Sequence, residues 1–140
     1  MSGDIILGYD GQAGADSALA VAVTVAKAFR APLTIVFGYE PNPMGGETAD
    51  YQRQLEKIGN ETVAKAVKVA GELDATIQVD TMVVALRPVE ALLAAAAEHH
   101  ARVIVVGGTG ERPLVGAILG STPHKLLHRS KVPLLVVPAG

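Results

Sequence analysis

The sequence predicts a single α/β domain, doubly wound around a five-stranded parallel sheet, with helices on both faces. Short apolar runs rich in Val, Ile and Leu alternate with longer segments of helical periodicity, the order expected of such a sheet. The runs contain few polar residues, which is typical of strands buried on both faces. The 140 residues suit one domain, spanning residues 1–140, that buries about 70% of its unfolded surface.

Each element has its own signal in the chain. Apolar runs bounded by Gly or Pro predict strands, and apolar residues spaced three or four apart predict helices. In chain order, the predicted elements are strand Asp4–Asp10, turn Gly11–Gly14, helix Ala15–Phe29, strand Pro32–Phe37, loop Gly38–Thr48, helix Asp50–Glu72, strand Ala75–Ala85, helix Pro88–His100, strand Val103–Val106, helix Pro123–Arg129 and strand Pro133–Val137.

The first two helices carry further expectations about their faces. Asp16 or Ser17 is expected to cap the first helix. Gly59 is expected to weaken the second helix mildly. Apolar periodicity predicts that one stripe of each helix faces the sheet; its residues are Leu19, Ala22, Val23 and Ala26 in the first helix, and Leu55, Ile58, Val63, Val67 and Ala70 in the second.

The composition excludes several classes of protein. A net charge of −2 gives no support to nucleic acid as the main partner. Because the chain has no cysteine, disulfides and thiolate metal sites are excluded. The start Met1–Asp4 lacks a basic region and a cleavage site, and no apolar run reaches the length of about 18 residues expected of a membrane span. We therefore expect a cytoplasmic protein.

A predicted strand order of 3-2-1-4-5 places the ligand site. In an open parallel sheet a ligand binds beyond the carboxyl ends of the strands, where the strand order reverses. Strands one and four are neighbours at that point, and both end in loops that carry glycine. The pocket is therefore expected between Asp10 and Gly107.

The loop that follows the fourth strand has the composition of a phosphate-binding device. It begins Gly107-Gly-Thr-Gly110 and, after nine residues, continues Gly120-Ser121-Thr122 into the last helix. Glycines let backbone N–H groups approach an anion, and the hydroxyls add donors. A tight turn and a helix start would explain the same glycines without a ligand. No Gly-Lys-Ser/Thr occurs, so this is no Walker A loop, and holding a nucleotide is favoured over cleaving it.

The pattern Gly-x2-Gly-x9-Gly-Ser after a hydrophobic strand resembles the signature of the ATP-binding branch of the universal stress protein family. The segments Ile6–Gly11, Ala85–Leu92 and Ser130–Val137 also resemble that family. The resemblance implies bound ATP with Mg²⁺, Asp10 on the adenosine side and the backbone of Gly38 against adenine. The residues that it places around the phosphates and ribose are Gly107, Gly110, Gly120, Ser121 and Thr122, and Val106 and Gly108 are also expected to bind the nucleotide.

Some residues leave the identity of the nucleotide open. Leu86 stands where the family often has Gly, and Arg102 where it often has Asp. Leu86 is expected to narrow the mouth of the pocket. Arg112 either neutralises phosphate charge or is a solvated loop charge. AMP and cyclic AMP therefore remain alternatives to ATP, as does an interaction module that binds no nucleotide; a flavin fits poorly because aromatic residues are few.

Other candidate sites are weaker. Asp10 contacts the ligand or, with Gly11, forms a turn. The glycines at 8, 11 and 14 do not have the dinucleotide-binding spacing that would pair with Glu40. A catalytic triad of Ser121, His124 and Asp10 lacks a nucleophile elbow. His124 and His128 are expected to lie on a helix surface, since no third metal ligand is apparent nearby. His99 and His100 end the third helix, where a partial positive charge suits the helix dipole, and they need no catalytic role.

The last strand predicts how the protein assembles. If Leu134, Leu135, Val136 and Val137 lie at a sheet edge, their unpaired backbone can pair with a second copy. The resemblance implies the same homodimer, and a monomer with a covered edge is the alternative. The expected function is that of an ATP-binding stress-response or regulatory protein, in which the nucleotide is a conformational switch with little or no hydrolysis.

Overall fold

A computed structural model describes residues 3–12, 14–41, 48–108 and 120–139 of the chain. Within these residues, strands and helices alternate strictly, as predicted. The elements are β1 (Ile5–Gly8), α1 (Ala15–Phe29), β2 (Leu33–Gly38), α2 (Thr48–Leu73), β3 (Val79–Val84), α3 (Pro88–Glu98), β4 (Val103–Gly107), α4 (Ser121–Arg129) and β5 (Leu134–Val137).

The strands form one parallel sheet in the order β3-β2-β1-β4-β5, which confirms the predicted class and strand order. Successive residues of a strand face opposite sides of the sheet. Ile5 and Leu7 accordingly pack against α1 and α2, whereas Ile6 packs against α3 and α4. All three side chains are fully buried, which explains why the central strand contains no polar alternation.

Several element ends differ from the predicted ones. β3 begins at Val79 rather than Ala75, because the Asp74 carboxylate accepts the Thr76 N–H at 2.8 Å and forms a turn. Hydrogen bonds from Thr76 and from Lys27, whose Nζ lies 3.0 Å away, hold the pKa of Asp74 at about 2. α3 ends at Glu98 rather than His100, since His100 adopts a positive φ of 50°. α4 begins at Ser121, two residues before the predicted start.

The predicted cap of α1 is wrong, although its bounds are confirmed. Gly14 occupies the N-cap position with φ 87°, and no side chain caps the helix. A left-handed backbone at this position suits glycine. The Asp16 carboxylate instead accepts a hydrogen bond from the Tyr9 hydroxyl, so it is not available as a cap.

The predicted inner face of α2 is partly wrong. Val63 and Ala70 are buried, but Ile58 is 51% exposed. Its neighbour Gly59 faces the sheet instead: a Cβ at Gly59 would lie 2.7 Å from Val83 and 2.8 Å from Phe37. The glycine therefore allows α2 to approach β2 and β3 closely, which outweighs the helix propensity that it lacks.

β5 lies at one edge of the sheet, next to β4, as the dimer hypothesis requires. Leu134, Leu135 and Val136 are half-buried and Val137 is buried. Among the residues that the structure describes, no helix combines the length and the apolar character needed to cross a membrane.

Candidate nucleotide-binding cleft

A cleft of about 130 Å³ opens at the carboxyl ends of the central strands. Its floor is formed by strand ends and its walls by the first turns of helices. The floor residues are Gly8, Tyr9, Asp10, Val36, Phe37, Gly38, Val106 and Gly107; the wall residues are Ala15, Pro88, Leu92, Gly120, Ser121, Thr122 and Pro123. The cleft therefore lies where the strand order reverses between β1 and β4, as predicted.

Glycines give the floor a surface of bare backbone. A Cβ at Gly8 would lie 3.1 Å from the Leu92 side chain, and one at Gly38 only 2.6 Å from the Leu86 carbonyl oxygen. Real Cβ contacts are essentially never below 3.0 Å. These two glycines consequently allow α3 and its preceding loop to pack directly against the strand ends, where the backbone forms part of the cleft lining.

The first turn of α4 forms one wall of the cleft. Gly120 is extended, with φ −66° and ψ 173°, and no side-chain cap or acidic residue occupies this helix start. The Ser121 and Thr122 N–H groups lack partners within the helix and carry a partial positive charge, whereas Pro123 has no N–H and the His124 N–H donates to the Gly120 carbonyl. Together with the hydroxyls of Ser121 and Thr122, the N–H groups of these two residues make this wall suitable for an anion.

Backbone hydrogen bonds fix the two ends of the predicted phosphate loop. The Gly120 N–H donates to the Gly108 carbonyl at 2.8 Å, and the Gly108 N–H donates to the Val137 carbonyl at 2.8 Å. The start of α4 is thus linked to the end of β4 and, through it, to the edge strand β5.

The chain matches known proteins over nearly its whole length. The model of the "Universal stress protein family" matches residues 1–138. The chain belongs to the universal stress protein family. A relative from Thermus aquaticus, "Universal stress protein in QAH/OAS sulfhydrylase 3'region", is 35% identical over 138 residues, which cover 95% of this chain and 96% of the relative.

Solved structures of universal stress proteins share the fold. One, a universal stress protein in complex with cAMP, is 29% identical with a TM-score of 0.70, and all of both chains is covered. Another, from Archaeoglobus fulgidus in complex with dAMP, has a TM-score of 0.69 over 96% of each chain. At 17% identity, the second likeness concerns the fold alone.

In this universal stress protein, most of the predicted site residues meet in the cleft. They are Asp10, Gly38, Val106, Gly107, Gly120, Ser121 and Thr122. Gly108 is beside the cleft at the end of β4 and does not line it. Gly110 and Arg112 lie outside the described residues. Asp10 also forms the predicted turn, because its Oδ1 accepts the Gln12 N–H at 2.9 Å. Asp10 therefore both forms the turn and lines the cleft.

Neither of the two departures from the family pattern lines the cleft. Leu86 contributes its carbonyl oxygen beside Gly38, but it is not among the lining residues. Arg102 precedes β4 at the opposite, amino-terminal edge of the sheet. Its guanidinium lies over the Phe29 ring, 4.7 Å from the centroid, which gives it a packing role.

Three of the histidines contact a carboxylate or another histidine among the described residues. His99 Nδ1 lies 3.1 Å from Asp4 Oδ2, at the amino-terminal edge of the sheet. The rings of His124 and His128 meet edge to face, with centroids 5.0 Å apart. Over the described ranges, no three His, Cys, Asp or Glu side chains group as metal ligands.

Tyr9 is a cleft residue that the sequence analysis missed. It follows β1, is 7% exposed and donates its hydroxyl to Asp16 Oδ1 at 2.6 Å. Burial, followed by the hydrogen bond to Asp16, raises the pKa of Tyr9 to about 12. Its ring and hydroxyl tie the floor of the cleft to the first turn of α1. The sequence signal that could have identified Tyr9 as a cleft residue is a tyrosine placed between Gly8 and Asp10, at the end of a buried strand.

We expect Tyr9 to make stability fall at alkaline pH. A tyrosine whose pKa is raised in the folded state stabilises it fully below the unfolded pKa of about 10, and this contribution is lost as pH rises towards 12. Tyr9→Phe should therefore lose about 1 kcal/mol at pH 7 and show a shallower decline between pH 10 and 12. Urea unfolding across that window measures both effects.

The exposed Tyr51 provides a matched control. Tyr51→Phe should keep both the neutral-pH stability and the alkaline slope of the wild type. Identical alkaline slopes for Tyr9→Phe and the wild type would contradict the role assigned to the Tyr9–Asp16 hydrogen bond.

Proposed function

We propose that this universal stress protein binds an adenine nucleotide, ATP with Mg²⁺, in the cleft. The observation that carries the proposal is the meeting of a backbone-lined floor at Gly38 with the uncapped first turn of α4 at Gly120–Thr122. The first suits a planar base and the second suits phosphate. The solved relative that holds cAMP, at 29% identity, supports an adenine nucleotide as the ligand class.

We propose that the nucleotide is held as a conformational switch and hydrolysed slowly at most. Among the described lining residues, Asp10 is the sole carboxylate, and no lysine or arginine is present. Asp10 gives one oxygen to its turn, and its other oxygen is available for Mg²⁺. Phosphoryl transfer depends on positioned cations and an oriented nucleophile, so this set of side chains favours binding over turnover.

The switch is proposed to act on assembly at the edge strand. Phosphates bound at the start of α4 would contact Gly120. Gly120 is hydrogen-bonded to Gly108, and Gly108 is hydrogen-bonded to Val137 at the end of β5. β5 lies at the sheet edge, where its backbone can pair with β5 of a second copy in a symmetric dimer. We place the protein in the cytoplasm, consistent with a chain that has no cysteine.

Calorimetric titration with ATP, ADP, AMP and cyclic AMP tests the ligand. Gly120→Val should weaken ATP binding roughly tenfold, equivalent to about 1.4 kcal/mol, because the extended backbone of Gly120 accepts valine while its side chain fills the space for phosphate. Gly71→Val, at a position where an added Cβ meets nothing within 4 Å, is the matched control and should bind like the wild type.

The outcomes separate the candidate functions. Equally weak ATP binding by wild type and Gly120→Val would contradict the proposal. Tighter binding of AMP or cyclic AMP than of ATP would favour the monophosphate alternative, which the cAMP-bound relative supports. A chain that binds none of the four nucleotides and yet sediments as a dimer would favour the interaction module.

A further inference from the structure

The position of α4 depends on few contacts. The helix has nine residues, and its buried residues are Pro123 and Leu126. Leu126 is fully buried among α3 and sheet residues such as Leu92 and Ala96. Besides the backbone hydrogen bond from Gly120 to Gly108 at its start, α4 is anchored largely by Leu126. The helix can pivot about that side chain, so a contact at its other end helps to fix its direction.

An ion pair between α3 and α4 provides that contact. Arg129, in the last turn of α4, places its guanidinium 2.8 Å from Oε2 of Glu90 in the first turn of α3. The hydrogen bond from Arg129 holds the pKa of Glu90 below its usual range, so the carboxylate is charged at neutral pH. Arg87 also faces Glu90, but its own guanidinium pairs with Glu40 at 3.1 Å.

Each partner lies on a helix whose first turn lines the cleft. Glu90 lies between Pro88 and Leu92, which line the cleft, and Arg129 is at the far end of the helix that begins with Ser121 and Thr122. That distance is roughly 12 Å at 1.5 Å per residue. Leu126 is five residues from Ser121, or roughly 7.5 Å. A rotation of roughly 8° about Leu126 would move the first turn by about 1 Å, enough to degrade a binding geometry.

We propose that Glu90 and Arg129 are positioning residues for the phosphate end of the cleft, and that their ion pair sets the direction in which the α4 first turn presents its N–H groups to a polyphosphate. This inference rests on the proposed nucleotide function. Both side chains are nearly half exposed, and such pairs add little to global stability. The effect on phosphate binding should therefore exceed the effect on unfolding.

Comparing ATP with adenosine, which lacks phosphates, tests this assignment. Arg129→Met and Glu90→Gln should each weaken ATP binding about threefold to fivefold, leave adenosine binding unchanged and shift Tm little. Arg129→Lys should fall between Arg129→Met and wild type, since it keeps the charge but loses the planar fork. The exchanged pair Glu90→Arg/Arg129→Glu should recover most of the ATP affinity.

Lys27→Met is the matched control. It removes the Lys27–Asp74 ion pair, whose N–O distance of 3.0 Å is similar. That pair lies at the amino-terminal ends of the strands, away from the cleft, so the variant should leave ATP binding unchanged. Wild-type ATP affinity in Arg129→Met, or equal weakening of ATP and adenosine, would overturn the positioning role while leaving the proposed function intact. Failure of the wild type to bind any adenine nucleotide would overturn both.

Discussion

Gly38→Ala is expected to destabilise the fold and to weaken nucleotide binding together. The added Cβ would lie 2.6 Å from the Leu86 carbonyl oxygen and 2.7 Å from the Ala91 Cβ. Because the first of these is backbone, the β3–α3 connection must move away from β2. We expect a loss of about 1–3 kcal/mol in the free energy of unfolding and a roughly tenfold loss of ATP affinity, measured by urea unfolding and calorimetry.

Gly71→Ala is the matched control for this substitution. Gly71 lies in α2, where an added Cβ would meet nothing within 4 Å, and alanine is the better helix former. The variant should gain about 0.5–1 kcal/mol and bind ATP like the wild type. If Gly38→Ala behaved in the same way, the close approach of residues 86–87 to the cleft floor would be disproved.

Leu126→Ala is expected to cost about 2–4 kcal/mol in the free energy of unfolding. Leu126 of α4 is fully buried against α3 and the sheet. Its removal leaves a cavity and takes away the main anchor of α4. Because domains of this kind are stable by only about 5–15 kcal/mol, the loss should be evident in chemical unfolding. ATP binding should weaken too, since the first turn of α4 loses its support.

The next residue in the chain is the control for that experiment. Leu127 is 60% exposed, and Leu127→Ala should change the free energy of unfolding by no more than about 0.5 kcal/mol. Equal losses for the two variants would show that α4 does not dock through Leu126. The comparison is independent of any ligand.

The site could be predicted from sequence as far as its signals were local. Strand ends and glycine spacing led to Asp10, Gly107 and the Gly120–Thr122 segment, and the family resemblance added Gly38. The structure brings these into one cleft. Tyr9, Phe37 and Leu92 were missed. Their place in the cleft depends on how β1, β2 and α3 meet, which no single stretch of the chain encodes.

The sequence by itself determined the α/β class, the alternation of strands and helices and the bounds of α1, because apolar runs and helical periodicity are local properties of the chain. Tertiary structure alone decided that Gly59 faces the sheet while Ile58 is exposed, that Asp16 binds Tyr9 instead of capping its helix, and that Arg129 reaches Glu90. Each of these depends on the close packing of elements that are distant in sequence, where space and hydrogen-bond partners outweigh local propensity.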